Sequence, residues 1–149
     1  GIYDQLEPSY TVFHRESETF SCLWTRYDED FDTFCRAYQA DLAAYGAVEG
    51  FQGKPSPPPN VFNVSMVPWE SFDSFHLHLP KGDRYLLPIF TIGKFYAAEG
   101  RVWLPLAAQV HHAVCDGFHL CRLIDEVRRW PKSPSAKPAE FHRAQESLS

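Results

Sequence analysis

No stretch of this chain approaches the ~20 consecutive apolar residues that a membrane-spanning helix needs, so no membrane partner is expected. The opening residues Gly1-Ile2-Tyr3-Asp4 have neither the basic start nor the apolar stretch of a secretory signal. An initiator methionine is also lacking, and the chain is expected to be processed or trimmed. Cysteines in CxxC spacing are absent. Cys22, Cys35, Cys115 and Cys121 are an even number and so compatible with disulfides, but their scatter is expected of thiols in a reducing cytosol. Basic residues are outnumbered, 14 against 19 acidic, leaving a net charge of −5. That balance is a poor electrostatic match for nucleic acid or an anionic membrane. Internal repeats are lacking as well.

What is present fits one globular domain, since domains most often run ~100–150 residues. The 149 residues are 44% hydrophobic and 22% charged, near the globular average, which excludes disorder of the whole chain. Folding at this length is expected to bury a genuine core. Aromatics reach 15%, which suits either a core of large side chains or an aromatic-walled pocket.

Residues 9–13 and 20–24 are β-branched or aromatic and flank the polar run 15–18, predicting two strands around a turn. The period then changes. Phe31, Phe34, Cys35, Tyr38, Leu42 and Tyr45 lie on one helical face, and Gly46 is the stop. Residues 50–60 predict an exposed, partly extended proline-rich loop. Val61–Met66 follows as a strand. Ser74–Leu79 alternates, with Phe75, Leu77 and Leu79 on one face and His76 and His78 on the other. Residues 86–112 predict a hairpin turning at Glu99-Gly100, in which His112 ends a row of apolar side chains of one parity. After Asp116-Gly117 a helix runs to about Arg129. From Pro131 the chain loses periodicity, predicting a domain over 1–130 and a disordered tail over 131–149.

The segment that carries chemistry is His111-His112-Ala113-Val114-Cys115-Asp116-Gly117. A strand end delivers an imidazole, an acid follows that can cap a helix or pair with a cation, and a glycine allows a sharp turn. Neutral imidazole is suited to removing a hydroxyl or thiol proton near neutral pH. Taken singly, His112 reads as a satisfied core histidine, Ser65 as a strand serine, Thr91 as a β-former and Lys94 as a solvated lysine. The grouping of His111, His112, Cys115, Asp116, His119 and Cys121 fits neither HExxH nor paired CxxC, so no metal is expected.

This segment resembles the HHxxxDG signature of the chloramphenicol acetyltransferases, within the wider class of CoA-dependent acyltransferases. The blocks Tyr10–His14, Glu18–Ser21, Asn63–Trp69, Ser71–Phe75 and Phe90–Lys94 look like family blocks in family order. The resemblance covers about residues 8–129. It implies an α/β fold, a mixed sheet packed with helices, and a chloramphenicol O-acetyltransferase giving antibiotic resistance. The expected partners are chloramphenicol and acetyl-CoA. The expected assembly is a cytoplasmic homotrimer with active sites between subunits.

Residue by residue, the resemblance makes His112 the general base and Ser65 a donor to the oxyanion. Thr91 holds a water, and Asp116 is structural, pairing with an arginine. Phe20, Asn63, Leu77, Leu79 and Ile89 match the antibiotic pocket. Lys94 lies on the CoA side, and Phe95 stands where the family often has tyrosine. The family subunit carries a further N-terminal segment, with the arginine partner of the aspartate, that has no counterpart here. A fragment of a longer enzyme or a shortened protein is therefore expected. The alternatives are a CoA-dependent acyltransferase with another acceptor, such as a dihydrolipoyl thiol, or a non-catalytic fragment.

Overall fold

Strands begin where aromatic and β-branched residues first alternate. The structure, a computed structural model, describes residues 3–74 and 85–129. β1 (Glu7–His14) and β2 (Thr19–Trp24) pair antiparallel, from Ser9↔Trp24 to His14↔Thr19. Their polar turn closes at Glu18, which takes a left-handed φ of 51°. β1 starts two residues before the predicted Ser9, because Glu7 and Pro8 pair with β3 (Val61–Val67). That pairing is parallel, Glu7↔Val61 to Tyr10↔Val64, so the sheet is mixed.

Helix α1 (Phe31–Tyr45) has the predicted bounds. Asp30 caps it, accepting from the Thr33 N–H at 3.0 Å and from the Thr33 hydroxyl. At the other end the Gly46 N–H donates to the Leu42 carbonyl at 2.8 Å. The helix covers one face of the β1–β2 pair. Tyr38 packs on Tyr10 with ring centroids 4.8 Å apart, and Asp41 accepts from the Thr25 hydroxyl at 2.8 Å. On that face Ser21, Leu23 and Thr25 are fully buried. Alternation sends Phe13 and Phe20 to the opposite face, 41% and 54% exposed.

The proline-rich segment is exposed over most of its length, as expected, but it is also tied to the sheet. The Cys22 N–H donates to the Phe51 carbonyl at 2.8 Å, and the Gly53 N–H to the Cys22 carbonyl at 3.1 Å. Residues 51–53 thus lie along the edge of β2, in a parallel bridge at Cys22↔Gln52. Gly53 is buried there because a Cβ would stand only 3.0 Å from both Leu23 Cδ1 and Ser21 Oγ. Lys54 then anchors the loop. Its Nζ lies 2.7 Å from Asp41 Oδ1, 3.0 Å from the Trp24 carbonyl and 4.0 Å above the Trp24 ring. Pro55, Ser56, Pro57 and Pro59 are exposed, as the composition predicted.

The chain divides into two compact units, Gly1–Met66 and Val67–Ser149. In the second, the predicted hairpin is split. β4 (Ile89–Gly93) pairs antiparallel with β7 (Leu106–Gln109), and β5 (Tyr96–Ala98) with β6 (Arg101–Trp103). Ile92↔Leu106 and Tyr96↔Trp103 leave residues 93–95 facing 104–105, one residue more on the first side, which is the geometry of a bulge. Pro105 cannot donate, and the Lys94 N–H leaves the ladder for the Glu70 carbonyl at 2.9 Å. Glu99 and Gly100, at φ 53° and 71°, make the tight turn between β5 and β6. Helix α2 (Gly117–Arg129) ends the described chain.

Among the described residues, Leu23 and Ile89 are the buried hydrophobic side chains, a smaller core than composition predicts. Neither helix buries a residue fully. The predicted strand over Ser74–Leu79, with His76, Leu77, His78 and Leu79, lies outside the described residues, as does the 131–149 tail.

Candidate active site

Phe20, Asn63 and Ser65 belong to the first unit. Residues paired directly across strands share a face. Phe20 pairs with Phe13, Ser9 pairs with Asn63, and Ser65 is two residues on along β3. All three therefore stand on the sheet face turned away from α1. Phe20 and Asn63 are exposed and Ser65 is half-buried. Nothing local distinguishes this serine from any other strand serine, and only its neighbours along the face do so.

Ile89, Thr91, Lys94, Phe95, His112 and Asp116 belong to the second unit. Ile89 and Thr91 alternate onto one buried face of β4, 9% and 3% exposed, with Thr91 opposite Ala107. Lys94 and Phe95 occupy the bulge. Lys94 is exposed there. Beside the bulge, Phe72, Tyr96, Trp103 and Pro105 line an open cavity of about 430 Å³. A Cβ on Gly93 would come within 2.9 Å of the Phe72 ring and 3.1 Å of Pro105. The glycine lets the two rings approach the strand.

His112 does not end a strand. β7 stops at Gln109, and residues 112–114 form a turn. The His111 carbonyl accepts from the Val114 N–H at 3.0 Å and the Cys115 N–H at 3.1 Å. His111 Nδ1 also accepts from the Ala113 N–H at 3.1 Å. The parity reading fails because Pro105 interrupts the strand and the turn begins before the row is complete. Both His111 and His112 are exposed.

Asp116 is exposed as well, and it caps α2. Its Oδ1 accepts from the His119 N–H at 3.0 Å and meets His119 Nδ1 at 2.6 Å. The N–H bond, then the ring bond, hold its carboxyl below the usual carboxylate range. Sequence reasoning anticipated the cap and missed the partner. The available signal was Asp-x-x-His at N-cap to N3 spacing, the positions of a capping box. Among the described residues, no three His, Cys, Asp or Glu side chains are grouped to hold a metal ion. Among them, too, no helix is long and apolar enough to cross a membrane.

A family model described as chloramphenicol acetyltransferase matches residues 1–128. A chloramphenicol acetyltransferase of Clostridium perfringens is 55% identical over 128 residues, covering 86% of this chain and 62% of the relative. One of Campylobacter coli is 53% identical over the same shares. One of Escherichia coli is 46% identical over 87% of this chain and 58% of the relative. The chain thus spans about three fifths of the length of the curated relatives it matches. A solved chloramphenicol acetyltransferase superimposes with a TM-score of 0.71 at 25% identity, over 88% of this chain and 64% of that one.

Proposed function

The chain belongs to the chloramphenicol acetyltransferase family, an acyltransferase family with an α/β fold, and on that premise we propose its chemistry. The reaction is transfer of the acetyl group of acetyl-CoA to the primary hydroxyl of chloramphenicol. His112 takes the hydroxyl proton while the oxygen attacks the thioester carbonyl. Ser65 donates a hydrogen bond to the oxyanion, an interaction that strengthens as charge develops. Thr91 holds a water against the tetrahedral intermediate. Its collapse expels the CoA sulfur, which recovers the proton from the His112 imidazolium. Acetylation in the cytoplasm would leave the antibiotic inert, giving resistance.

Phe20, Asn63, Leu77, Leu79 and Ile89 wall the antibiotic, Lys94 and Phe95 face CoA, and Asp116 is structural. The functional assembly is a homotrimer with sites between subunits. Exposure of Phe20 on an open sheet face supports that reading, since a partner subunit can cover it. No step calls on a metal ion.

The observation that carries the proposal is the family match running through residues 111–117, where the chain turns on His111 and enters α2 through a capped Asp116. The test is thiol release from acetyl-CoA with chloramphenicol as acceptor. His112→Ala should abolish release without altering the circular dichroism. Ser65→Ala should lower kcat by ~10²–10³, the size typical of one oxyanion donor. Turnover preserved in either variant removes that residue from the mechanism. Acetyl transfer to a dithiol but not to chloramphenicol, read as the acetylated product by mass, would assign another acceptor.

A further inference from the structure

Asp116 Oδ1 receives two bonds from one residue, the His119 N–H at 3.0 Å and the ring Nδ1 at 2.6 Å. The N–H bond is what any helix N-cap makes. The ring bond is additional and constrains both partners. An ionised carboxylate only accepts, so Nδ1 carries the proton. The ring is further flanked by Phe118, edge-on at 5.5 Å and 86°. Further along α2, Arg122 pairs with Glu126 at 3.0 Å and Arg128 with Asp125 at 3.7 Å.

The same aspartate closes the segment that carries His112. Its backbone carbonyl accepts from the Leu120 N–H at 3.1 Å, the first bond of the helix ladder. At the upstream end the His111 carbonyl holds the Val114 and Cys115 N–H groups. His112 lies between these anchors, one on each side. A side chain that fixes Asp116 at two points therefore fixes how the turn enters the helix.

We propose that His119 is a positioning residue for His112, clamping Asp116 onto the first turn of α2 and so setting the direction in which the His112 imidazole is presented. The proposal rests on reading His112 as the base, and it adds a partner for Asp116 from within the motif's own helix. The clamp acts through the turn, not on the substrate.

Nitrogen-15 imidazole spectra of the full chain test it without turnover. His119 should appear protonated at Nδ1, whereas free neutral histidine favours Nε2. His119→Ala should speed amide exchange at Val114 and Cys115 by about twofold to fivefold, the scale of an exposed ion pair, and move the His112 ring signals. His119→Asn, whose amide places an N–H near the Nδ1 position, should restore both. Should the alanine variant fail to fold, His119→Asn against His119→Asp makes the same comparison, the acid lacking a donor and repelling Asp116. In the active enzyme His119→Ala should lower kcat with both KM values unchanged. An Nε2-protonated His119, or exchange and His112 signals indifferent to His119→Ala, overturns the clamp. A wild-type chain without turnover counts against the proposed reaction alone, because the spectra still decide the positioning.

Discussion

Individual side chains here owe their behaviour to what the fold places beside them. Tyr10 lies on the covered sheet face, against Tyr38 and the Thr25 hydroxyl, and burial pushes its pKa from 10.0 to about 12. A raised phenol pKa contributes stability that is complete below the unfolded value and is lost as pH rises through the folded one. An alkaline titration followed at the phenolate absorbance should therefore show Tyr10 ionising last, with unfolding setting in between pH 10.0 and about 12. Ionisation of Tyr10 with the exposed tyrosines would refute its burial. Asp116 has the opposite sign. Its folded pKa is depressed, so the α2 cap is present above the unfolded value and is lost as pH falls through the folded one. The protection of the His119 amide relative to its intrinsic exchange should fall over that acid range in the wild type, converging on the low protection that Asp116→Ala shows at every pH. The aspartate's capping role was legible from its place before a helix-period run. Its histidine partner was not, because side-chain rotamers choose between solvent and the cap.

Secondary structure followed its local signals closely where the signals were periodic. The bounds of α1 came from the apolar spacing and Gly46, and the β1–β2 turn from its polar run. Two elements escaped. The hairpin over 86–112 reads as continuous because its residues are mostly apolar or β-forming around one Glu-Gly turn, yet Pro105 removes a donor and Lys94 turns aside to Glu70. The proline-rich loop reads as solvent-exposed by composition, yet Gly53 and Lys54 are held against β2 and α1. Lys54 and Asp41 are 15% and 16% exposed, so their ion pair is largely desolvated. Breaking it from one side leaves a charge without its partner. Lys54→Met should cost ~3 kcal/mol in denaturant unfolding, and Asp41→Asn added to it should cost less than the two single changes summed. Additive losses would mean the pair is not coupled. Gly53→Val should release the same loop by collision with Leu23 and Ser21, seen as faster exchange at the Gly53-position and Cys22 amides.

At the scale of the whole molecule, the aromatic content suits either a core of large side chains or an aromatic-walled pocket. Among the described residues, Phe20, Phe31, Phe51 and Phe118 are 54%, 59%, 73% and 72% exposed. Apolar surface of that amount is stabilised when a neighbouring chain covers it. The trimer proposed above predicts a sedimentation-equilibrium mass three times that of one chain, which for these 149 residues is 17.1 kDa. A monomer at micromolar concentration would rule out shared sites.

The family, the β1–β2 hairpin, α1 and the chemistry-bearing segment were determined by sequence alone, since periodicity and spacing are local properties and HHxxxDG is a contiguous motif. Tertiary structure alone decided that Phe20, Asn63 and Ser65 share one sheet face, through strand register between residues more than forty positions apart. It also decided that the Lys94 N–H leaves the ladder for the Glu70 carbonyl, which splits the hairpin. Register and bulges depend on which backbone groups find partners, and there no single segment contains both partners.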